Sequence, residues 1–487
     1  MWQRLFGGFD GQSATLQTRI QDMLVHAILE GFISPGDPVP SSRTLAGILG
    51  VSRSTVTLAL QRLTDLGFLQ ARDRSGHFVH PDISANFLGA RRREAGKADA
   101  HGVAWGKRLQ QNLSRHRNIV KPRDWQAYRY PFVYGQFDHT LFPKNNWRFC
   151  VTESLRVASI RAWAPDLIDQ DDPRLIEQIQ QRLLPARGIW SNREEILVTC
   201  GAQNAAFMLS TLLLGRRTVV GMEDPGYPDA RNTFSMRSQR IRPLPVDASG
   251  LVVDDSVAGC DYVFVTPSHQ CPTTVTMPLE RRLELLRQAA ANDFVVIEDD
   301  HESELNFSGR PTPALKSLDT GDRVIYIGSL SKTLSHGLRL GYLVAPRELI
   351  VELRRLRRLM LRHPASNNQR AAALFVGHGY HESYVHRLNE TYGRRAAALR
   401  RAVDRHLPAW RHTPSHGGSA LWVEAPPTID TRVLAETATA HGVLIEPGDV
   451  FFAGRTPATN YIRMGYSSIP EEYIDDGVRR LAALLPH

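Results

Sequence analysis

Lysine is scarce in this chain. Six lysines, at positions 97, 107, 121, 144, 316 and 332, stand against 53 arginines in 487 residues, so the basic character is almost wholly arginine and each surviving lysine invites a reason. Cysteine is scarcer still. Cys150, Cys200, Cys260 and Cys271 are scattered, with no CxxC pair and no histidine cluster at ligand spacing, which argues against a disulfide framework or a metal site and for reduced cytoplasmic thiols. No run reaches the roughly 18 apolar residues of a membrane span, and the opening "MWQRLFGGFDGQ" lacks the apolar run and cleavage-like site of a secretory signal. What is plentiful is apolar content, 42% with 8% aromatic. That is enough for a large core in a chain long enough for two or more domains.

The formal charge of +9 is uneven. Residues 1–127 carry 17 Lys+Arg against 10 Asp+Glu, while the remaining 360 carry 42 against 40. A basic N-terminal end suits a polyanionic partner or an ordinary solvated surface, and the residue pattern favours the partner. Across 14–31, Leu16, Ile20, Met23, Ala27 and Ile28 recur at helical spacing and Gly31 marks the stop. After the turn "SPGDPVPSS" come two short helices, roughly 43–49 and 53–66, joined by "GVS", where Gly50 permits the turn and Ser52 can cap the second helix. Val56, Leu60 and Leu63 form a buried stripe on that helix. Arg53 and Thr55 therefore face outward from its first turn, where a recognition helix meets base edges and phosphates. "GFLQARDRSGHFV" follows as strand, turn at Gly76 and strand, the form of a wing.

Taken in order, PSSR, the LGVSR turn, the periodic helix and the G-x-F wing resemble the winged helix-turn-helix of the GntR superfamily over about 12–80. The resemblance implies promoter DNA as a partner, with contacts from Ser41 and Arg43, from Arg53 and Thr55 on the recognition helix, and from Gly76 and His77 in the wing. We divide the chain into a winged helix-turn-helix domain, 1–80, a linker, 81–124, and a ligand-binding domain, 125–487. The middle segment has basic clusters, small residues and little periodicity, which suits a linker.

From about 125 onward, short apolar runs alternate with helical patterns, the mark of an α/β domain with a mostly parallel sheet. Ligands collect at the carboxyl ends of such strands, so four loops belong together. "EEILVTCGAQNAAFML" gives strand, glycine turn and a helix whose first amides, at Ala202 and Gln203 after Gly201, suit a phosphate. "TVVGMEDPGYPDARNTF" offers Tyr227 as a ring that could stack on a flat ligand. "NDFVVIEDDHESELNF" crowds Glu298, Asp299, Asp300 and His301 at a strand end; such carboxylates need a positive partner, and a protonated heterocyclic nitrogen answers better than a metal. "RVIYIGSLSKTLSHGLRLGYLVAP" supplies Ser329, Ser331, Lys332 and Arg339: hydroxyls, an amine able to form a Schiff base, and a bidentate phosphate ligand. Together they describe a pyridoxal phosphate site.

"VTCGAQ", "DPGYP", "VTPSHQCPT", "IEDDHESE", "SLSKTLSHGLR" and "YIRMGYSSI", in that order, resemble the fold-type I aminotransferases. With the N-terminal module the whole chain is similar to the MocR/GabR family of transcriptional regulators. The resemblance implies that Lys332 carries pyridoxal 5'-phosphate as an internal aldimine. It further implies that Asp299 pairs with the ring nitrogen, with Asp300 the less suited, that Tyr227 stacks on the ring, and that Ala202, Gln203, Ser329 and Arg339 hold the phosphate. Arg463 falls where the family's enzymes hold a substrate carboxylate, and Lys316 in "PTPALKSLD" is a poor rival to Lys332.

Three departures bear on function. His301 stands where family members usually have tyrosine, Cys271 replaces the asparagine of aminotransferases, and Gln170 with Asp171 replaces a tyrosine that reaches a partner's phosphate. They favour an effector-sensing regulator, in which an amino compound displaces Lys332 to form an external aldimine, over an aminotransferase with an accessory DNA-binding module. At most a partial or vestigial aminotransferase activity is expected. A regulator with an empty aminotransferase-like scaffold is the third reading. The expected effector is a small amino acid or amino-sulfonate, its acid group at Arg463, and the expected assembly is a cytoplasmic homodimer, often head to tail in this family, with no membrane association and no metal.

Overall fold

A computed structural model describes residues 2–7, 15–72, 75–81, 83, 105–136, 138–307, 312–330, 332–414 and 416–485. The chain divides into two compact units, Met1–Leu109 and Gln110–His487.

The first unit is built on α1 (Trp2–Gly7), α2 (Leu16–Leu29), α3 (Ser42–Leu49) and α4 (Arg53–Asp65), followed by β1 (Leu69–Arg72) and β2 (Gly76–Val79). The helix periodicity of α2 buries Ile20, Met23, Leu24, Ala27 and Ile28, and α4 meets them with Val56, Ala59, Leu60 and Leu63. Ser41 caps α3 by accepting from the Thr44 amide at 3.2 Å, and Ser52 caps α4 by accepting from the Thr55 amide at 3.1 Å. Between the two helices Gly50 takes a left-handed φ of +67°, a conformation that costs a glycine little. The antiparallel pair β1 and β2 runs from Leu69 opposite Val79 to Arg72 opposite Gly76. This is a helix-turn-helix with a wing.

The second unit holds an eight-stranded sheet made of β3 (Ile196–Thr199), β4 (Val219–Asp224), β5 (Arg240–Asp247), β6 (Gly250–Leu251), β7 (Tyr262–Val265), β8 (Val295–Asp299), β9 (Val324–Ser329) and β10 (Gly341–Val344), in spatial order β3-β10-β9-β8-β7-β4-β5-β6. The five neighbours β9, β8, β7, β4 and β5 are parallel, while β10 runs antiparallel to both its neighbours and β6 antiparallel to β5. Strands such as "VVIED" and "VIYIGS" are buried almost throughout, as expected for a sheet covered on both faces. A smaller antiparallel sheet follows, of β11 (Arg411–His412), β12 (Ala420–Glu424), β13 (Glu446–Pro447) and β14 (Tyr461–Gly465), in order β11-β12-β14-β13. Residues Tyr130–Pro131 pair with Val443–Leu444 beside it. A side chain at Gly465 would strike the Val133 carbonyl at 2.2 Å, so this glycine lets the 130–136 segment lie against β14 and carry Tyr134 inward.

The segment expected to be a linker over 81–124 departs from that reading at its C-terminal part. From Gln110 it belongs to the second unit. The Arg117 guanidinium donates to Asp449 Oδ2 at 2.8 Å, Asn232 donates to the Arg117 carbonyl at 3.0 Å, and Lys121 pairs with Glu446 at 3.2 Å. These contacts are polar, and the apolar residue that joins them, Ile119 beside Cys271, Trp422 and Phe451, makes no periodic pattern, so hydrophobic periodicity gave no sign of them. Among the described residues no helix is long and apolar enough to cross a membrane.

Candidate functional site

The carboxyl ends of β8 and β9 bring Asp299 and Ser329 to one edge of the sheet, with Lys332 three residues beyond. A cavity of about 280 Å³ opens there, lined by Tyr134, Ala202, Tyr227, Asp299, His301, Ser329, Lys332 and Arg463, with Ile119, Lys121 and Cys271 among the remaining walls. The volume is at the low end for small-molecule sites.

The three acids of "IEDD" separate by their partners. Glu298 accepts from the amides of Leu315 and Lys316 at 2.7 and 2.8 Å. Asp300 accepts from Arg187 at 2.8 Å, Ser268 at 2.5 Å and Tyr326 at 2.8 Å; burial opposes its charge, but Arg187 and these hydroxyls hold its carboxyl below the usual range. Asp299 is 5% exposed and its Oδ1 has no hydrogen-bond partner among the described residues. Burial, then the neighbouring Asp300 charge, pushes its carboxyl up to about 7. A buried carboxylate facing a cavity and short of a counter-charge is what a cationic ring nitrogen would satisfy.

Opposite it stands Lys332. Its amine faces the cavity, yet the dense surrounding protein desolvates it, and burial pulls its pKa below the ordinary lysine value, with Glu302 opposing and Arg463 adding to the shift. A greater share of neutral amine favours nucleophilic attack on a carbonyl. The Lys332 amine lies 4.2 Å from the centroid of the Tyr134 ring and the Arg463 guanidinium 3.9 Å from the same centroid. Next to Tyr134, a side chain at Gly135 would come 2.8 Å from the Lys332 nitrogen, so the glycine leaves the amine its room. Glu302, buried and at a left-handed φ of 59°, accepts from Ser419 at 2.5 Å and is the negative charge that acts most strongly on Lys332. Burial lowers the pKa of His301 to about 4, so the imidazole on the cavity wall is neutral. Cys271 is buried, and its thiol is pushed up to about 12 by that burial; it meets Arg463 at 4.0 Å.

Arg463 is 2% exposed. Its Nε donates to Glu446 Oε2 at 3.0 Å, while its Nη2 has no hydrogen-bond partner among the described residues. Burial opposes its charge, but Glu446, Cys271 and Tyr134 together outweigh the burial and raise its pKa. A guanidinium held at one edge and open at the other suits an acid group.

At the other end, Gly201 at φ +87° precedes α5 (Ala202–Leu213), whose first amides offer an anion site. Tyr227 donates to Asp229 Oδ2 at 3.3 Å. Gln203 turns its side chain to Thr233 at 2.9 Å, leaving only its backbone for an anion. Arg339 is exposed and donates to the Cys200 carbonyl at 2.9 Å, beside Gly201 but outside the cavity lining. Ser331 lies outside the described residues. Asp171 is an internal counter-ion, accepting from Arg357 at 2.5 Å and Arg354 at 2.9 Å.

In the first unit Arg43, Arg53 and Gly76 are exposed and His77 is half-buried. Ser41 and Thr55 bond at the helix caps, Ser41 to Thr44 at 2.8 Å and Thr55 to Ser52 at 2.7 Å.

These two units have known counterparts. Residues 16–79 match the model for bacterial regulatory proteins of the gntR family, and residues 166–481 match that for aminotransferase class I and II. Over 98% of this chain and 97% of the relative, the sequence is 41% identical to the HTH-type transcriptional regulator TauR of Rhodobacter capsulatus. The chain belongs to the MocR-type transcriptional regulators. The probable rhizopine catabolism regulatory protein MocR of Rhizobium meliloti is 29% identical over 96% of this chain and 93% of its own length. The second unit resembles LysN, an α-aminoadipate aminotransferase of Thermus thermophilus solved with a phosphopyridoxyl-leucine adduct, with a TM-score of 0.71 and 26% identity over 78% of this chain and 98% of that one. This MocR-type regulator is thus a DNA-binding protein with pyridoxal phosphate as its cofactor. Its cavity fits that group on its own terms: an unpartnered buried carboxylate, a desolvated amine and a helix amino terminus.

Four residues escaped the sequence reading. Tyr134 and Lys121 lie outside the strand-end loops, Glu302 follows the acid run without a pattern of its own, and Glu446 is known only through the strand pairing that sets it opposite Arg463.

Proposed function

We propose that this MocR-type regulator reads a small amino acid or amino-sulfonate through Lys332 and changes its hold on promoter DNA in response. The observation that carries the reading is the pairing of the Lys332 amine and the half-open Arg463 guanidinium on one Tyr134 ring. An effector spanning both sites carries an amine and an acid a few bonds apart.

Pyridoxal phosphate, when bound, supplies an aldehyde that condenses reversibly with primary amines. The chain's own part is to hold and sort. Lys332 would be the displaceable amine, Asp299 would pair with the ring nitrogen, and Tyr227 would pack against the ring. The Gly201, Ala202 and Gln203 backbone, with Ser329, Ser331 and Arg339, holds the phosphate, and Arg463 takes the acid. His301 is neutral, and it and Cys271 stand in place of the tyrosine and asparagine that partner the ring oxygen in an enzyme. Sensing without efficient turnover is the consequence. Ser41, Arg43, Arg53, Thr55, Gly76 and His77 meet the DNA. Leu155 and Val157, 57% and 66% exposed, belong to a surface that a second copy covers, and a cytoplasmic homodimer presents two winged helices to a repeated operator.

The test is a titration of the full-length, cofactor-loaded protein with a panel of amino acids, amino-sulfonates and keto acids, read by cofactor absorbance and by promoter binding. A spectral change with altered DNA affinity and no sustained turnover is expected. Steady multiple turnover would make it an aminotransferase with an accessory DNA-binding module.

A further inference from the structure

Lys121 comes from the stretch that precedes the ligand-binding fold in sequence, yet it lines the same cavity as Lys332 and Arg463. It is one of six lysines in the chain, and its surroundings are unusual for a lysine. Its amine donates to the Tyr134 carbonyl and lies 3.2 Å from Glu446 Oε1, and it stands 5.7 Å from the Tyr134 ring centroid. The same Glu446 accepts from Arg463 through its other oxygen at 3.0 Å. One carboxylate therefore serves two cations, and that carboxylate is 4% exposed.

This arrangement leaves more donors than acceptors at the acid end of the cavity, and burial draws the Lys121 pKa below the ordinary lysine value, with Glu446 opposing. Arg463 lines the cavity and its Nη2 is buried with no hydrogen-bond partner among the described residues, and Glu446 Oε1 approaches Lys121 without completing a hydrogen bond. A buried cation short of acceptors is costly until an anion arrives. A planar carboxylate or a sulfonate entering beside Arg463 would take its free edge and offer a further oxygen to Lys121, whose ammonium has three donors and a flexible stem.

We propose that Lys121 is a specificity-determining residue for the effector's acid group, sharing it with Arg463 while Glu446 fixes the two cations when no acid is bound. This rests on the reading of the cavity as an effector site. It adds that selection for an acid is made in part by a residue of the 110–124 segment, which already lies against the site through Lys121.

The test uses the full-length, cofactor-loaded protein and three probes of similar size: 3-aminopropanoate, 2-aminoethanesulfonate and acid-free propylamine. The concentration that half-saturates the change in cofactor absorbance is measured for wild type, Lys121→Gln and Lys121→Arg. The proposal expects Lys121→Gln to raise it for the two acid-bearing probes by roughly ten- to a hundredfold, the worth of one charge-assisted hydrogen bond. Propylamine is expected to be unmoved and Lys121→Arg to recover part of the loss. Equal shifts for all three probes would mean a general disturbance of the site and would overturn the proposal, as would no shift at all. A wild type silent to every probe would instead overturn the effector-site reading and this inference with it.

Discussion

The Lys332 amine lies 4.2 Å from the centroid of the Tyr134 ring. Arg463 packs on that ring at 3.9 Å, so one aromatic side chain sets where the amine-reactive and acid-binding ends of the cavity stand. Cation–π contacts of this kind contribute about 0.5–2 kcal/mol each. Tyr134→Ala is expected to raise the half-saturating concentration of an acid-bearing amine by roughly tenfold, while Tyr134→Phe, which keeps the ring, stays near wild type. Equal losses in both variants would assign the effect to the hydroxyl and its neighbour Glu302 and refute the ring's role.

Asp299 and Asp300 are adjacent in sequence and opposite in kind. Asp300 neutralises the buried Arg187, so Asp300→Asn strands a charge and should cost about 3–5 kcal/mol of stability. Asp299→Asn leaves no cation unpaired in the cofactor-free protein. It should spare folding and weaken cofactor retention instead. Thermal melts alongside equilibrium dialysis of pyridoxal phosphate separate the two, and the account fails if the phenotypes are exchanged.

The same carboxyl gives a pH signature. Without cofactor, Asp299 titrates near 7 where an ordinary aspartate titrates at 3.8. The folded state keeps that proton through the window in which the unfolded chain releases it, so the contribution to stability falls as pH rises from about 4 to about 7 and is constant above. Asp299→Asn lacks this loss. Denaturation of the two cofactor-free proteins across the window should open a gap in the variant's favour, by at most about 1.4 kcal/mol per pH unit; titrating groups remote from Asp299 cancel in the comparison. A gap independent of pH would contradict the raised value.

On the DNA side, Arg43 and Arg53 are exposed at the first turns of α3 and α4. Replacing both with alanine is expected to weaken binding to a promoter fragment and to flatten the dependence of log affinity on log salt by roughly 0.9 for each phosphate that is no longer neutralised. Unchanged affinity and slope would move the interface elsewhere on the first unit.

Much of this architecture was legible because local chemistry and global fold agree. The helix stripe of Val56, Leu60 and Leu63, the Gly50 turn and the Ser52 cap recur in the structure as read, and the apolar runs before Asp299 and Ser329 are buried parallel strands. Pattern also brought Lys332, Asp299, Tyr227 and Ala202 to one cavity. Periodicity alone could not separate Asp299 from Asp300, which only the family resemblance did, because the partner that distinguishes them, Arg187, is 113 residues from Asp300. Nor could it find Lys121 or Glu446. Their meeting depends on polar contacts between distant segments, and neither stretch carries a periodicity that foretells it.

The most direct measurement is borohydride reduction of the purified full-length protein, followed by digestion and mass analysis of the lysine peptides. The account predicts a pyridoxyl group on the peptide bearing Lys332 and its loss from the protein when a saturating acid-bearing amine is added first. Modification at Lys121 or Lys316 instead, or a Lys332 adduct that no amine displaces, would contradict it.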